Sequence, residues 1–145
     1  MSALDGLINS SIQKEVTVPT APPTAAATAP LYAIKAELFK SLAHPTRIRA
    51  LEVLAAAPDL AAPVTDLLTA TGAEASQLSQ HLAVLKKAGV VTSSRSGNAV
   101  EYRLSQPLVA QLLVVARAFL QSTLADSSDR LAATHDLPPL PGEER

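Results

Sequence analysis

From Leu31 to Leu120 the apolar residues keep a helical spacing, and that spacing breaks in one place. In "VVTSSRSGNAVEYRLS" the period becomes two. Val91, Ser93 and Arg95 alternate with their neighbours, Gly97-Asn98 is a two-residue turn signal, and Val100, Tyr102 and Leu104 alternate on the return. A period of 3.6 that gives way to a single hairpin and then resumes restricts the chain to a mainly helical fold with a small β element, α+β in class.

The helices on either side are short and well punctuated. "LYAIKAELFKSLA" places Leu31, Ile34, Leu38 and Leu42 at helical spacing, and His44-Pro45 ends it, because a residue before proline avoids the helical region. Pro45 suits the first turn of a second helix, whose stripe is Ile48, Leu51 and Leu54 up to Pro58. "APVTDLLTATG" predicts a third, closed by Gly72, and the stretch from Ser76 to Lys87 a fourth, capped by Gly89. A last helix runs from Pro107 to about Ala125, or as far as Ala133, and carries Leu108, Leu112, Val115, Phe119 and Leu120. The expected order is α-α-α-α-β-β-α, and the third and fourth helices make a helix-turn-helix candidate.

Residues 1–30 read as an extension and a linker. "TVPTAPPTAAATAP" has prolines at 19, 22, 23 and 30 and no apolar period, and Leu4, Leu7, Ile8 and Ile12 before it form too short a helical pattern to stand alone. Residues 31–133 are the expected domain, and 134–145, with "LPPLPGEER", the expected disordered tail.

Composition removes several chemistries. With no cysteine there is no disulfide, thiolate metal site or thiol redox switch. No apolar run approaches the ~20 residues that span a bilayer, and the N-terminus lacks the pattern of a signal peptide, so a cytoplasmic protein without a membrane partner is expected. A net charge of -1 argues at first against a polyanion partner. The charge is segregated, however: from Ala75 to Arg103 the cations Lys86, Lys87, Arg95 and Arg103 face only Glu101, while the acids gather towards the C-terminus.

With Leu78 at the centre of the buried face of the fourth helix, Leu82 and Leu85 fall beside it and Ala75 and His81 on its shoulders. Ser76, Gln80, Ala83 and Lys87 point outwards, with Gln77 and Ser79 on the flanks. Short uncharged polar residues followed by lysines suit a helix entering a major groove N-terminus first. The hairpin tip, with Arg95, Gly97 and Asn98, suits contact with backbone or minor groove. Double-stranded DNA is therefore the expected partner, met by Ser76, Gln77, Ser79, Gln80, His81, Lys86, Lys87, Arg95, Asn98 and Arg103. The alternative at this point is a merely solvated helix and hairpin.

"ELFKSLAHPTRIRALEVL", "SQLSQHLAVLKKAGVV" and "RSGNAVEYRL" resemble, in order and spacing, the ArsR/SmtB family of bacterial winged helix-turn-helix repressors, over about Leu31 to Leu124. The resemblance implies a reading helix at Ser76 to Lys87, a hairpin wing, a symmetric operator and release by a signal. It also implies a homodimer through the first and last helices. Leu31, Ile34, Leu38, Leu108, Leu112, Val115 and Phe119 are expected at that interface, since one copy has too little opposing surface to cover both stripes.

The sequence departs from the family in its metal sites. Where many members carry a Cys-x-Cys pair this chain has Pro63 and Thr65, and "PLVAQLLVVARAFLQSTL" lacks the Asp and His of the other site. No metal and no cofactor is expected. A small-molecule effector remains open as a partner. His44 is expected in a local backbone bond or packing contact, and the adjacent His135-Asp136 is a weak metal signal. No nucleophile elbow or phosphate loop is present, so no enzyme is expected. The competing function is a protein-interaction module built on the apolar terminal helices, with DNA binding lost or secondary.

Overall fold

The computed structural model describes residues 24–125 and 132–142. The helical pattern at Leu4 to Ile12 and residues 17–23 of the expected linker lie outside the described residues. Contacts divide the chain into two units, 1–34 and 35–145. In the first, the described residues belong to the start of helix α1 (Ala25–Leu42). The second contains the rest of α1, then α2 (Pro45–Ala56), a single 3₁₀ turn (Pro58–Leu60), β1 (Ala61–Pro63), α3 (Val64–Thr71), α4 (Ala75–Lys87), β2 (Val91–Ser96), β3 (Ala99–Leu104) and α5 (Pro107–Thr123).

Local chemistry sets the boundaries. His44 is extended, with φ -154° and ψ 135°, and its side chain accepts a hydrogen bond from the Thr46 N–H, so it caps α2 while Pro45 takes the first helical position. That is the local backbone bond expected of His44. The side chains that α2, α3, α4 and β2 turn inwards make the centre of the core: Leu51, Leu54, Leu67, Leu78, Leu82, Leu85 and Val91 are all almost completely buried. Each such leucine contributes about 1.5–3 kcal/mol.

The α+β class and the order of the helices and hairpin are as expected, with one strand added. β1 pairs antiparallel with β3 through Ala61 and Arg103, giving a three-stranded sheet in the order β1-β3-β2. Three residues ending in proline are too few to show a period, so sequence alone placed Ala62 and Pro63 in the third helix.

The outer helices have limits of their own. α1 begins at Ala25, inside the segment read as linker 1–30. Thr24 Oγ1 accepts from the Ala27 N–H at 3.3 Å, and Ala25 to Ala27 favour helix enough to carry it through Pro30, which forgoes one backbone bond. At the other end, α5 closes at Thr123. Residues 134–142 of the expected disordered tail are placed on the domain, and Leu140 is 3% exposed within the core. A single leucine among prolines carries no periodic signal.

Candidate nucleic-acid interface

α4 sorts its residues by direction. Leu78, Leu82 and Leu85 are buried, while Ser76, Gln77, Ser79, Gln80, Ala83, Val84 and Lys87 are exposed. Glu74, before its first turn, makes no side-chain capping bond, so that turn presents backbone N–H groups and the positive end of the helix dipole beside Ser76 and Gln77. The arrangement can donate and accept hydrogen bonds from Ser and Gln, and can attract anions at both ends, through the dipole and through Lys86 and Lys87.

The hairpin is fixed to α4 by the helix terminus. Gly89, at φ +76°, lets its own N–H bond Lys86 O and the Val90 N–H bond Leu85 O, each at 3.0 Å, which reverses the chain directly into β2. Val90 and Val91 are then buried and anchor the strand. At the far end Gly97 takes φ +62° between the paired Ser96 and Ala99, and Arg95, Gly97 and Asn98 are exposed there. A cleft of about 400 Å³ separates this tip from the helices, lined by Val64 and Thr65 of α3, Ala75 and Ser79 of α4, and Asn98 and Val100 of the hairpin, among others.

Three of the expected DNA-facing residues also make contacts within the chain. Lys86 Nζ donates to Ser93 Oγ at 2.8 Å and ties the last turn of α4 to β2. Arg103 lies on β3 away from the tip; it donates to Asp59 O at 2.7 Å and pairs with Glu101 at 3.6 Å. Asp59 and Leu60 both have left-handed backbones, φ 56° and 57°, and Arg103 holds that turn. His81 sits half-buried on the other shoulder of α4. Its ring lies 4.1 Å from that of His44, and its Nδ1 is 3.2 Å from Arg47 Nη1. Burial, then the nearby His44 and Arg47, hold its pKa below the ordinary value.

The structure thus gathers Ser76, Gln77, Ser79, Gln80, Lys86, Lys87, Arg95 and Asn98 as exposed groups on α4 and the hairpin; Lys86 and the exposed Arg103 also bond within the chain, and His81 is half-buried. Two residues escaped the sequence reading. Val84, 41% exposed, adds an apolar group to the outward side of α4, and Arg47 is the partner of His81. Helical spacing from Leu78 marks Val84 as outward, but nothing in the sequence links residues 47 and 81.

A second feature is uncovered apolar surface. Among the described residues α1 buries only Ser41 and Leu42, and Leu31, Ile34 and Leu38 are exposed. On α5, Leu108, Val115 and Phe119 are each more than 60% exposed, and Leu112 is half-buried.

Comparison with known proteins agrees with this architecture. A helix-turn-helix domain family matches residues 42–94. The HTH-type transcriptional regulator Rv0081 of Mycobacterium tuberculosis is 50% identical over 109 residues, 74% of this chain and 90% of the relative. Its crystal structure superposes with a TM-score of 0.61 over 67% of this chain and 95% of that one. A homodimeric winged helix-turn-helix DNA-binding domain of Mycobacterium bovis, 28% identical, also gives 0.61, over 72% of this chain and 94% of the other. The repressor SmtB of Mycobacterium tuberculosis is 39% identical over 82 residues, 57% of this chain and 58% of the relative. The chain belongs to the ArsR/SmtB family of winged helix-turn-helix transcriptional regulators.

Proposed function

We propose that the protein is a cytoplasmic transcriptional repressor that binds a two-fold symmetric operator as a homodimer and carries out no reaction of its own. α4 enters the major groove N-terminus first. Ser76, Gln77, Ser79 and Gln80 face base edges, Val84 is placed to meet a thymine methyl, and Lys87, Arg95 and Asn98 lie along the backbone or the adjoining minor groove. The observation that carries this reading is the exposed, uncharged polar face of α4, backed by three buried leucines and joined without slack to a hairpin tipped by Arg95. The uncovered apolar side chains of α1 and α5 support the dimer, as does the homodimeric relative from Mycobacterium bovis. A dimer would set its half-sites one helical turn, about 34–36 Å, apart. Because the chain has no cysteine, any release signal must act without a thiolate.

The test is titration of a duplex selected from genomic fragments, and of a scrambled duplex, across a range of salt. Affinity for both should fall steeply and linearly on logarithmic axes, with the selected duplex held tighter throughout. Salt-independent binding, or equal affinity for the two, would refute the reading.

A further inference from the structure

Arg47 connects three helices. From the first turn of α2 its Nη1 reaches Nδ1 of His81 on α4 at 3.2 Å, and its Nη2 reaches the Lys40 carbonyl near the end of α1 at 3.4 Å. Its Nε is buried and has no hydrogen-bond partner among the described residues. His81 in turn lies against the His44 ring, centroids 4.1 Å apart and planes at 36°.

The protonation states follow from the donors. A guanidinium only donates, so in this contact Nδ1 of His81 accepts, and the imidazole is neutral with its proton on Nε2. His44 Nδ1 likewise accepts, from the Thr46 N–H at 3.1 Å. Both rings therefore serve as acceptors, and a proton on Nδ1 of His81 would abolish its bond to Arg47 and set a second cation beside it. The groups that act electrostatically on His81 are His44, from the junction before α2, and Arg47, from α2 itself.

The cluster supplies something that the leucine core does not. Apolar packing is non-directional, so Leu78, Leu82 and Leu85 fix the depth of α4 better than its rotation about its own axis. A hydrogen bond has direction. A roll of about 10° moves a side-chain tip ~5 Å from the axis by roughly 1 Å, enough to spoil a two-point contact with a base edge. His81 adjoins Gln80 and lies one turn after Gln77, on the half-buried shoulder beside the exposed polar face.

We infer that Arg47, His81 and His44 are a positioning set that fixes the roll of α4, and so governs discrimination between DNA sequences more than affinity for DNA. The inference rests on the reading of α4 as the helix that meets bases. It also makes discrimination dependent on a neutral His81, while added positive charge near DNA supports binding of any sequence.

The experiment compares a duplex selected by the wild-type chain from a randomised pool with a scrambled duplex of the same composition. Dissociation constants are measured at about pH 7.5 and about pH 5.5, on either side of the ordinary histidine range. The wild type should lose about tenfold in its selected-to-scrambled ratio at the lower pH, one base contact's worth, without weaker binding of the scrambled duplex. His81→Asn keeps an acceptor near the place of Nδ1 and does not titrate, so it should retain most of the ratio at both pH values. His81→Leu should lose about tenfold at both.

A folded leucine variant that discriminates like the wild type would overturn the inference. So would a pH loss that persists in full in His81→Asn. Should His81→Leu not fold, Arg47→Lys asks the same question, since a point charge lacks the guanidinium's two-sided reach: a lowered ratio supports the set and an unchanged one defeats it. Failure of the wild type itself to discriminate is a separate result, visible without any variant, and refutes the reading of α4 along with this inference.

Discussion

Arg117 on α5 donates to the carboxylate of Glu52 on α2 across 2.7 Å, and the two side chains are only 4% and 12% exposed. A buried pair of this kind is held in place by the opposite charge and the hydrogen bonds that each partner finds there. The Pro138 carbonyl provides a further acceptor for Arg117, at 2.6 Å. One cation thus joins the last helix to the second and draws the C-terminal segment in, and Leu140 follows into the core two residues later.

Replacing Arg117 by Ala should therefore cost about 3–5 kcal/mol, because Glu52 is left charged and unpaired. Replacing both, by Met at 117 and Leu at 52, should recover most of that loss. Leu140→Ala should cost about 2–3 kcal/mol through the cavity it leaves. Urea unfolding at one fixed protein concentration measures all three, and a midpoint for Arg117→Ala equal to wild type would show the pair to be dispensable.

On the reading face, Gln80→Ala and Ser76→Ala should each reduce the preference for the selected duplex by about 1–3 kcal/mol, with folding nearly unchanged. Arg95→Ala should instead weaken selected and scrambled duplexes alike and flatten the salt dependence. Unaltered discrimination in both of the first two variants would remove this face from base contact.

Arg103→Ala should behave as a stability variant. It loses the bond to Asp59 O, which holds two left-handed residues in place, and should cost about 1 kcal/mol. The salt slope of DNA binding should stay at the wild-type value; a slope lowered as much as in Arg95→Ala would return Arg103 to the interface.

Phe119→Glu and Val115→Glu place charge on an apolar face that a dimer would desolvate, so sedimentation at micromolar concentration should show monomer where wild type shows dimer. DNA affinity should fall with it, since each half-site is then bound alone. Intact dimers in both variants would move the interface elsewhere.

Stability should fall on acidification, and the sign follows from His81. Its pKa is held below the ordinary 6.5 by burial first and by His44 and Arg47 after that, so the unfolded chain binds the proton more readily than the native one. The stabilisation is complete above pH 6.5 and is lost as the pH drops through the lowered native value. The unfolding midpoint of His81→Asn should depend less on pH over that window than that of the wild type; identical pH dependence would assign the effect to another group.

Much of this was legible from residues alone because it depends on neighbours in the chain. The helical period put Leu78, Leu82 and Leu85 inside and Ser76, Gln80 and Lys87 outside. The pair His44-Pro45 marked a junction, and Gly97-Asn98 marked the hairpin turn, since a backbone preference acts within a few residues. The Gly89 cap also tied α4 to the hairpin, because it leaves no slack between them.

The rest depends on partners far apart in sequence. Lys86 and Arg103 are cations in a cationic stretch, and only the placement of Ser93 and Asp59 gives each a bond within the chain as well. His81 meets its hydrogen-bond partner Arg47 from 34 residues away, and Arg117 meets Glu52 from 65 residues away. Leu140, one leucine among prolines, gains its place from a core made by residues distant in the chain. Periodicity records which way a side chain points from its own helix. What it meets there is decided when the elements pack, because the direction and burial of a polar contact exist only once both partners have been brought together.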